Sequence, residues 1–158
     1  MIISEFYLSD INDSKKLAAK LAGILETGDI VTFEGTLGAG KTEFCRALIH
    51  ASGFNEDVPS PTFSLLQTYE PSIDDLDGSA IWHFDLYRLE NPEDVFELGI
   101  EDGFDTAITL IEWPDKMGTY LPEEHLKISI SLTDEMGARN IKFEGNEYWK
   151  LRLKDLSL

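Results

Sequence analysis

Cysteine is almost missing from this chain: Cys45 is the only one. No internal disulfide can form, so the fold rests on its apolar core. A lone cysteine among apolar neighbours reads as a small buried side chain, and a reducing cytoplasm is the compartment that suits it. Long apolar runs are missing too. No stretch approaches the ~20 apolar residues of a membrane span. Met1-Ile2-Ile3-Ser4-Glu5-Phe6 has neither the basic start nor the apolar run of a secretory leader, so no membrane association is expected. Basic residues are scarce, 13 against 30 acidic ones, for a net charge of −17. So acidic a surface repels phosphate backbones and argues against independent nucleic-acid binding. Histidine is limited to His50, His83 and His125, far apart and without ligand spacing, so no catalytic zinc is expected. Arg46, Arg88, Arg139 and Arg152 form no arginine-rich stretch, which speaks against the lid of a small-molecule kinase. The Asn/Thr-Lys-x-Asp element by which GTPases read guanine is absent.

What is present points one way. The chain has 158 residues, 42% of them hydrophobic, with aromatics spread along its length. That is enough for a single domain, 1–158, whose core needs no metal or disulfide. Its most informative stretch is Gly35-Thr36-Leu37-Gly38-Ala39-Gly40-Lys41-Thr42, the pattern G-x-x-x-x-G-K-T. In such a loop the glycines let backbone N–H groups curl around phosphates, the Lys reaches the β- and γ-phosphates, and the Thr hydroxyl holds Mg²⁺. With glycine at ~7% of ordinary residues, chance seldom produces the pattern. Its context agrees. Asp29–Phe33 is a short apolar, β-branched run and Glu43–Ala51 reads as a helix, so strand, loop and helix follow in the required order.

Hydrophobic periodicity frames the rest. Ile2–Leu8 alternates as a strand, and Asp13–Leu25 puts Leu17, Ala18, Leu21, Ala22 and Leu25 on one helical face. Ser64–Tyr69 and Ala80–Tyr87 read as strands, separated by the solvated segment Glu70–Ser79 with its acidic residues, Pro71 and Gly78. Asn91-Pro92-Glu93-Asp94 starts a short helix with proline in its first turn. Ala107–Trp113 is a largely apolar run, with Thr109 inside it and Glu112 near its end, the mark of a buried central strand. Leu126–Leu132 and Asn140–Phe143 alternate and pair as antiparallel strands near one edge, and Tyr148–Leu156 is a terminal helix. The class is α/β, with a largely parallel central sheet and antiparallel edge strands.

Phosphoryl transfer to water needs positioning and charge neutralisation more than covalent chemistry. The parts to look for are carboxylates at the ends of buried strands and a hydroxyl over the γ-phosphate. Asp85 shares a strand face with His83 and Tyr87, opposite Trp82, Phe84 and Leu86. A carboxylate there is costly unless it meets a metal or a hydrogen-bond network; the alternative is a structural pair with Arg88 or His83. Glu112 closes the most apolar run, and ligands of open α/β sheets sit at the carboxyl ends of strands. It is a candidate Mg²⁺ ligand or orienter of water, the alternative being a surface salt bridge. Trp113 either covers the site or belongs to the core. Thr62, in Ser60-Pro61-Thr62, either senses the γ-phosphate or is incidental to a proline-stiffened turn.

Taken together, five segments resemble one family: the phosphate loop, Ser60-Pro61-Thr62-Phe63, His83-Phe84-Asp85-Leu86-Tyr87-Arg88-Leu89, Glu97-Leu98-Gly99-Ile100 and Leu110-Ile111-Glu112-Trp113-Pro114. They look like the bacterial tRNA threonylcarbamoyladenosine biosynthesis ATPase family TsaE, also called YjeE. The resemblance spans about residues 8–140, and its His-Phe-Asp-Leu-Tyr-Arg and Glu-Trp elements are specific to the family. It implies a P-loop NTPase-like three-layer fold and a cytoplasmic ATPase that uses ATP and Mg²⁺, slow alone and activated by partner proteins. Those partners are TsaD and TsaB, with a functional link to TsaC. The product is N6-threonylcarbamoyladenosine at position 37 of tRNAs that read codons starting with A. Position by position, the resemblance puts nucleotide binding on Gly35, Thr36, Leu37, Gly38, Ala39, Gly40, Lys41 and Thr42, with Trp113 beside the nucleotide. It implies Mg²⁺ ligation by Thr42 and Glu112, with Asp85 at the metal, and catalytic or sensing roles for Lys41, Asp85, Glu112 and Thr62. An adenine pocket is implied near Ile11, Gly137 and Arg139. One departure is visible: the family usually has a second hydroxyl residue after Thr42, where this chain has Glu43, expected to point outward.

Overall fold

The computed structural model describes residues 1–158. It holds seven strands: β1 (Ile2–Leu8), β2 (Ile30–Glu34), β3 (Leu66–Tyr69), β4 (Ala80–Asp85), β5 (Ala107–Glu112), β6 (Leu126–Leu132) and β7 (Arg139–Glu144). Four helices accompany them: α1 (Ile11–Ala22), α2 (Lys41–Ala51), α3 (Ile100–Thr106) and α4 (Glu147–Arg152), with 3₁₀ segments over Pro92–Leu98 and Pro114–Tyr120. The strands form one sheet in the order β1-β7-β6-β2-β5-β4-β3. Strands β6, β2, β5 and β4 run parallel, and β1, β7 and β3 pair antiparallel, as the apolar runs and alternating edges predict. No helix is long and apolar enough to cross a membrane.

Two apolar layers explain that patterning. On one face Leu17 and Leu21 of α1, Leu48 and Ile49 of α2 and Trp149 of α4 pack with Val31, Phe33, Leu110, Ile128 and Phe143 of the sheet. On the other, Val95, Ile100 and Met117 cover Ile30, Phe84 and Ile111. With both faces covered, every residue of β5 is buried and so is nearly all of β2. Strands β6 and β7 alternate between buried and partly exposed positions, as strands with one covered face do. Helix α3 lies close to β4 because Gly103 has no side chain: a Cβ there would stand 2.7 Å from the Trp82 ring.

Several boundaries differ from the sequence expectation, each for a local reason. Helix α1 begins at Ile11, two residues earlier than expected, because Asp10 caps it by accepting from the Asp13 N–H at 3.1 Å. Strand β3 starts only at Leu66, since Leu65 takes a left-handed turn with φ 68°. Strand β4 stops at Asp85 rather than Tyr87, because the Asp85 carboxylate accepts from the Tyr87 N–H at 3.1 Å and turns the chain. The expected short helix after Asn91 is a 3₁₀ segment, and Gly99, at φ 76°, turns it into α3. The last helix covers Glu147–Arg152 only, capped by Asn146, which accepts from the Trp149 N–H at 3.1 Å.

Arg152 fastens that last helix to the start of β2. Its Nη1 and Nη2 donate to the two Asp29 carboxylate oxygens, each at 2.7 Å, and Nη2 also donates to the Ile24 carbonyl at 2.8 Å. The bond to Asp29 raises the Arg152 pKa further. Both partners are largely buried, and removing one side of such a pair strands the other charge. Arg152→Ala is expected to lower the unfolding free energy by about 3 kcal/mol, read by denaturant unfolding. Wild-type stability in that variant would show α4 to be a passive cover.

Candidate nucleotide site

Strand β2 ends at Glu34, and the chain loops through Gly35–Gly40 into α2. The loop runs close to β6, and only glycine fits where it passes. A Cβ on Gly35 would stand 2.4 Å from the Ile130 carbonyl oxygen, at a φ of 151°. Gly40 precedes the helix at φ 110°, in left-handed backbone. The first-turn N–H groups of α2 have no partners within the helix, and they point with its dipole toward the mouth of the loop, where an anion is favoured.

Lys41 is the first residue of α2 and is buried. Its Nζ donates to the carbonyls of Gly35, at 2.5 Å, and Thr36, at 3.0 Å, and lies 4.2 Å from the centre of the Trp113 ring. Burial lowers its pKa, against the pull of Glu112 and Asp85 nearby. Trp113 reaches over it from a left-handed backbone, φ 59°, and packs on Tyr87 with ring centres 5.0 Å apart.

The two carboxylates singled out in the sequence come together. Asp85 and Glu112 are register partners at the ends of the parallel strands β4 and β5, and only 3% and 2% of each is exposed. Glu112 accepts from the Thr42 hydroxyl, which lies 2.9 Å from Oε1 and 3.1 Å from Oε2. Asp85 Oδ2 accepts from the Thr62 hydroxyl at 2.9 Å, and that hydroxyl is 2.7 Å from Ser60 Oγ. Asp85 therefore belongs to a hydrogen-bond network, and its hydrogen bonds go to Thr62 and Tyr87 rather than to Arg88 or His83. The sequence reading missed His83, which bonds Glu112 instead: its Nε2 lies 2.7 Å from Oε2.

Two adjoining cavities surround the phosphate loop. One, of about 380 Å³, is lined by Leu37, Lys41, Thr42, Thr62, Asp85, Glu112 and Trp113 among others. The second, of about 270 Å³, gathers Ile11, Gly137 and Arg139, as the resemblance implies, together with Leu8, Phe44 and Ile130, which the sequence reading did not single out. Gly40, Glu43 and Arg139 border both. Glu43 is exposed at that shared rim. Arg139 ties the two together, its Nε donating to the Ala39 carbonyl at 2.8 Å.

The donor set has a clear chemistry. Thr42, Glu112 and Asp85 offer only hard oxygen atoms, which suit a small divalent cation such as Mg²⁺. Cys45 lies near Glu112 and His83, with burial pushing its thiol well above the ordinary range. Leu8, Ile11, Phe44 and Ile130 give the second cavity an apolar wall, beside polar neighbours such as Lys15, Arg46 and Arg139.

A glycine-bounded loop between a buried strand and a helix, with carboxylates at two neighbouring strand ends, defines a P-loop NTPase fold. The crystal structure of YdiB from Bacillus subtilis shares it, with a TM-score of 0.77 over 99% of this chain and 95% of that one at 24% identity. The family model described as "Threonylcarbamoyl adenosine biosynthesis protein TsaE" matches residues 8–141. A protein named "tRNA threonylcarbamoyladenosine biosynthesis protein TsaE" from Rickettsia felis is 43% identical over 81% of this chain and 72% of its own length. The proteins of that name from Haemophilus influenzae and Bacillus subtilis are 38% and 33% identical; they match over 86% of this chain and 85% and 83% of their own lengths. The chain belongs to the TsaE family, and its role lies in tRNA threonylcarbamoyladenosine biosynthesis.

Proposed function

We propose that this chain binds ATP with Mg²⁺ between the phosphate loop and the ends of β4 and β5, and hydrolyses it in the cytoplasm. Hydrolysis assists TsaB and TsaD in forming N6-threonylcarbamoyladenosine at position 37 of tRNAs that read codons starting with A. The observation that carries this reading is the pair Asp85 and Glu112, buried side by side opposite Thr42 and Lys41. Like charge and desolvation both oppose such a pair, and a divalent cation offsets both.

In this reading Thr42 and Glu112 hold the cation, with Asp85 beside it. Lys41 exchanges its bonds to the Gly35 and Thr36 carbonyls for β- and γ-phosphate oxygens, and the first-turn N–H groups of α2 donate to the phosphates. Bound Mg²⁺ supplies neutralisation of the charge on those oxygens. Asp85 fixes the Thr62 hydroxyl, which faces the same cavity and senses the γ-phosphate. Trp113 shields Lys41 from water. The base lies in the second cavity, against Ile11, Gly137 and Arg139. The acidic surface suits protein partners, while tRNA itself is repelled.

The test is steady-state ATP hydrolysis by the purified protein, alone and with TsaB and TsaD added. A low basal rate that rises with the pair and vanishes in EDTA is expected. Tight ATP binding with no hydrolysis in either condition would replace this reading with a nucleotide-gated docking module.

A further inference from the structure

His83 is fully buried in β4, on the strand face it shares with Asp85. Its Nε2 meets Glu112 Oε2 at 2.7 Å, while its Nδ1 is buried with no hydrogen-bond partner. That combination assigns the tautomer. A proton on Nδ1 would be a buried donor without an acceptor, so the ring proton is placed on Nε2, where a Glu112 carboxylate oxygen accepts it. A ring with an orphaned nitrogen is a costly way to fill a core, where a Phe or Leu would pack without loss. The one bond the ring makes is therefore what its polarity contributes.

That bond acts on a group with a soft torsion. The last torsion of a Glu side chain has a broad profile, so packing alone does not fix the carboxylate plane. Here the plane is held from two sides, by Thr42 on α2 and by His83 on β4. Both hydrogen-bonding neighbours come from other elements, so the orientation of Glu112 depends on how α2, β4 and β5 meet. Cys45, one turn beyond Thr42 on α2, is the third member of this buried cluster and contributes bulk but no charge.

We infer that His83 is a positioning residue: its Nε2–H holds the Glu112 carboxylate in the orientation that receives the Mg²⁺ of a bound nucleotide. The inference rests on the proposed Mg²⁺–nucleotide reading. Groups that orient a metal ligand in this way are worth about 10–100-fold in metal affinity.

The test measures the affinity of the non-hydrolysable ATP analogue AMP-PNP across a Mg²⁺ titration, and in EDTA, for the wild type, His83→Phe and His83→Gln. Gln carries an amide N–H₂ near the place of the imidazole Nε2, whereas Phe fills the space without a donor. His83→Phe is expected to bind in EDTA as the wild type does, while its Mg²⁺ midpoint rises ~10-fold or more. His83→Gln is expected to restore most of the wild-type midpoint. If His83→Phe does not fold, His83→Asn serves in its place, since its shorter amide does not reach Glu112. A wild-type midpoint in His83→Phe, or in His83→Asn where it stands in, overturns the inference. So does an equal loss in EDTA and in Mg²⁺ for the Phe and Gln variants, which would mark His83 as packing. A wild type that binds the analogue with no response to Mg²⁺ overturns the proposed function instead, and is seen before any variant is made.

Discussion

Lys41→Ala is expected to weaken ATP binding by at least ~100-fold, measured by calorimetry or by displacement of a fluorescent analogue. The side chain is buried at the start of α2, and its ammonium already donates to two loop carbonyls, at Gly35 and Thr36. In the proposed complex those two bonds give way to charge-assisted bonds to phosphate, which are the stronger because both partners are charged. The variant loses the gain of those bonds over the carbonyl ones together with the attraction of the ammonium for the phosphate charges, expected to total about 2.7 kcal/mol or more, which is the ~100-fold. Electrostatics adds to the loss. Lys41 is the cation facing Asp85 and Glu112, so in the variant a polyanionic nucleotide meets those carboxylates without it. The unliganded variant is expected to melt below the wild type for the same reason. Unchanged ATP affinity would sink the phosphate-loop assignment, whatever the rest of the site looks like.

The parts of this site that were legible in the sequence are those built by neighbours along the chain. The loop Gly35–Thr42 is one turn of backbone, and its glycines are required locally, at Gly35 by the approach to Ile130 and at Gly40 by a left-handed φ. Glu112 was legible because an acid closing a fully buried strand is rare. Asp85 was legible from period-two alternation in β4. What was not legible depends on which strands lie side by side. His83 and Glu112 meet only because β4 and β5 pair in parallel, with His83 opposite Leu110 and Asp85 opposite Glu112. No spacing within either strand announces that diagonal contact, and the sequence left His83 as a possible partner of Asp85. The second cavity has the same origin. Ile11, Ile130 and Arg139 converge because β1 pairs with β7 and β7 with β6, a closure that joins the two ends of the chain. The resemblance, rather than any local pattern, pointed to Ile11, Gly137 and Arg139.

Boundaries failed where side chains, not periodicity, stop an element. The alternation of β4 continues through Leu86 and Tyr87, yet the strand ends at Asp85, whose own carboxylate takes the Tyr87 N–H. The same carboxylate holds Thr62. Ending the strand and placing the hydroxyl are thus two results of one side chain.

Glu112→Gln is expected to reduce the ATP hydrolysis rate by ~100-fold or more, about 2.7 kcal/mol in the barrier, while leaving the fold intact. The substitution keeps the shape of the side chain. The amide oxygen still accepts from His83 Nε2–H, and the amide N–H₂ donates to the Thr42 oxygen, so each bond made by Glu112 has a substitute. What disappears is one negative charge at the point where the proposed cation binds. Two neighbouring buried carboxylates become one, and the unliganded variant is therefore expected to melt at or above the wild-type temperature. Stabilisation by Mg²⁺ and ATP together should fall at the same time, because less binding energy is available to the folded state. This opposite movement separates a lost ligand from a damaged core, which would lower both. Hydrolysis at the wild-type rate overturns the role given to Glu112. A variant that has lost hydrolysis yet supports full threonylcarbamoylation of tRNA overturns hydrolysis as the function, and leaves nucleotide binding as a gate for docking.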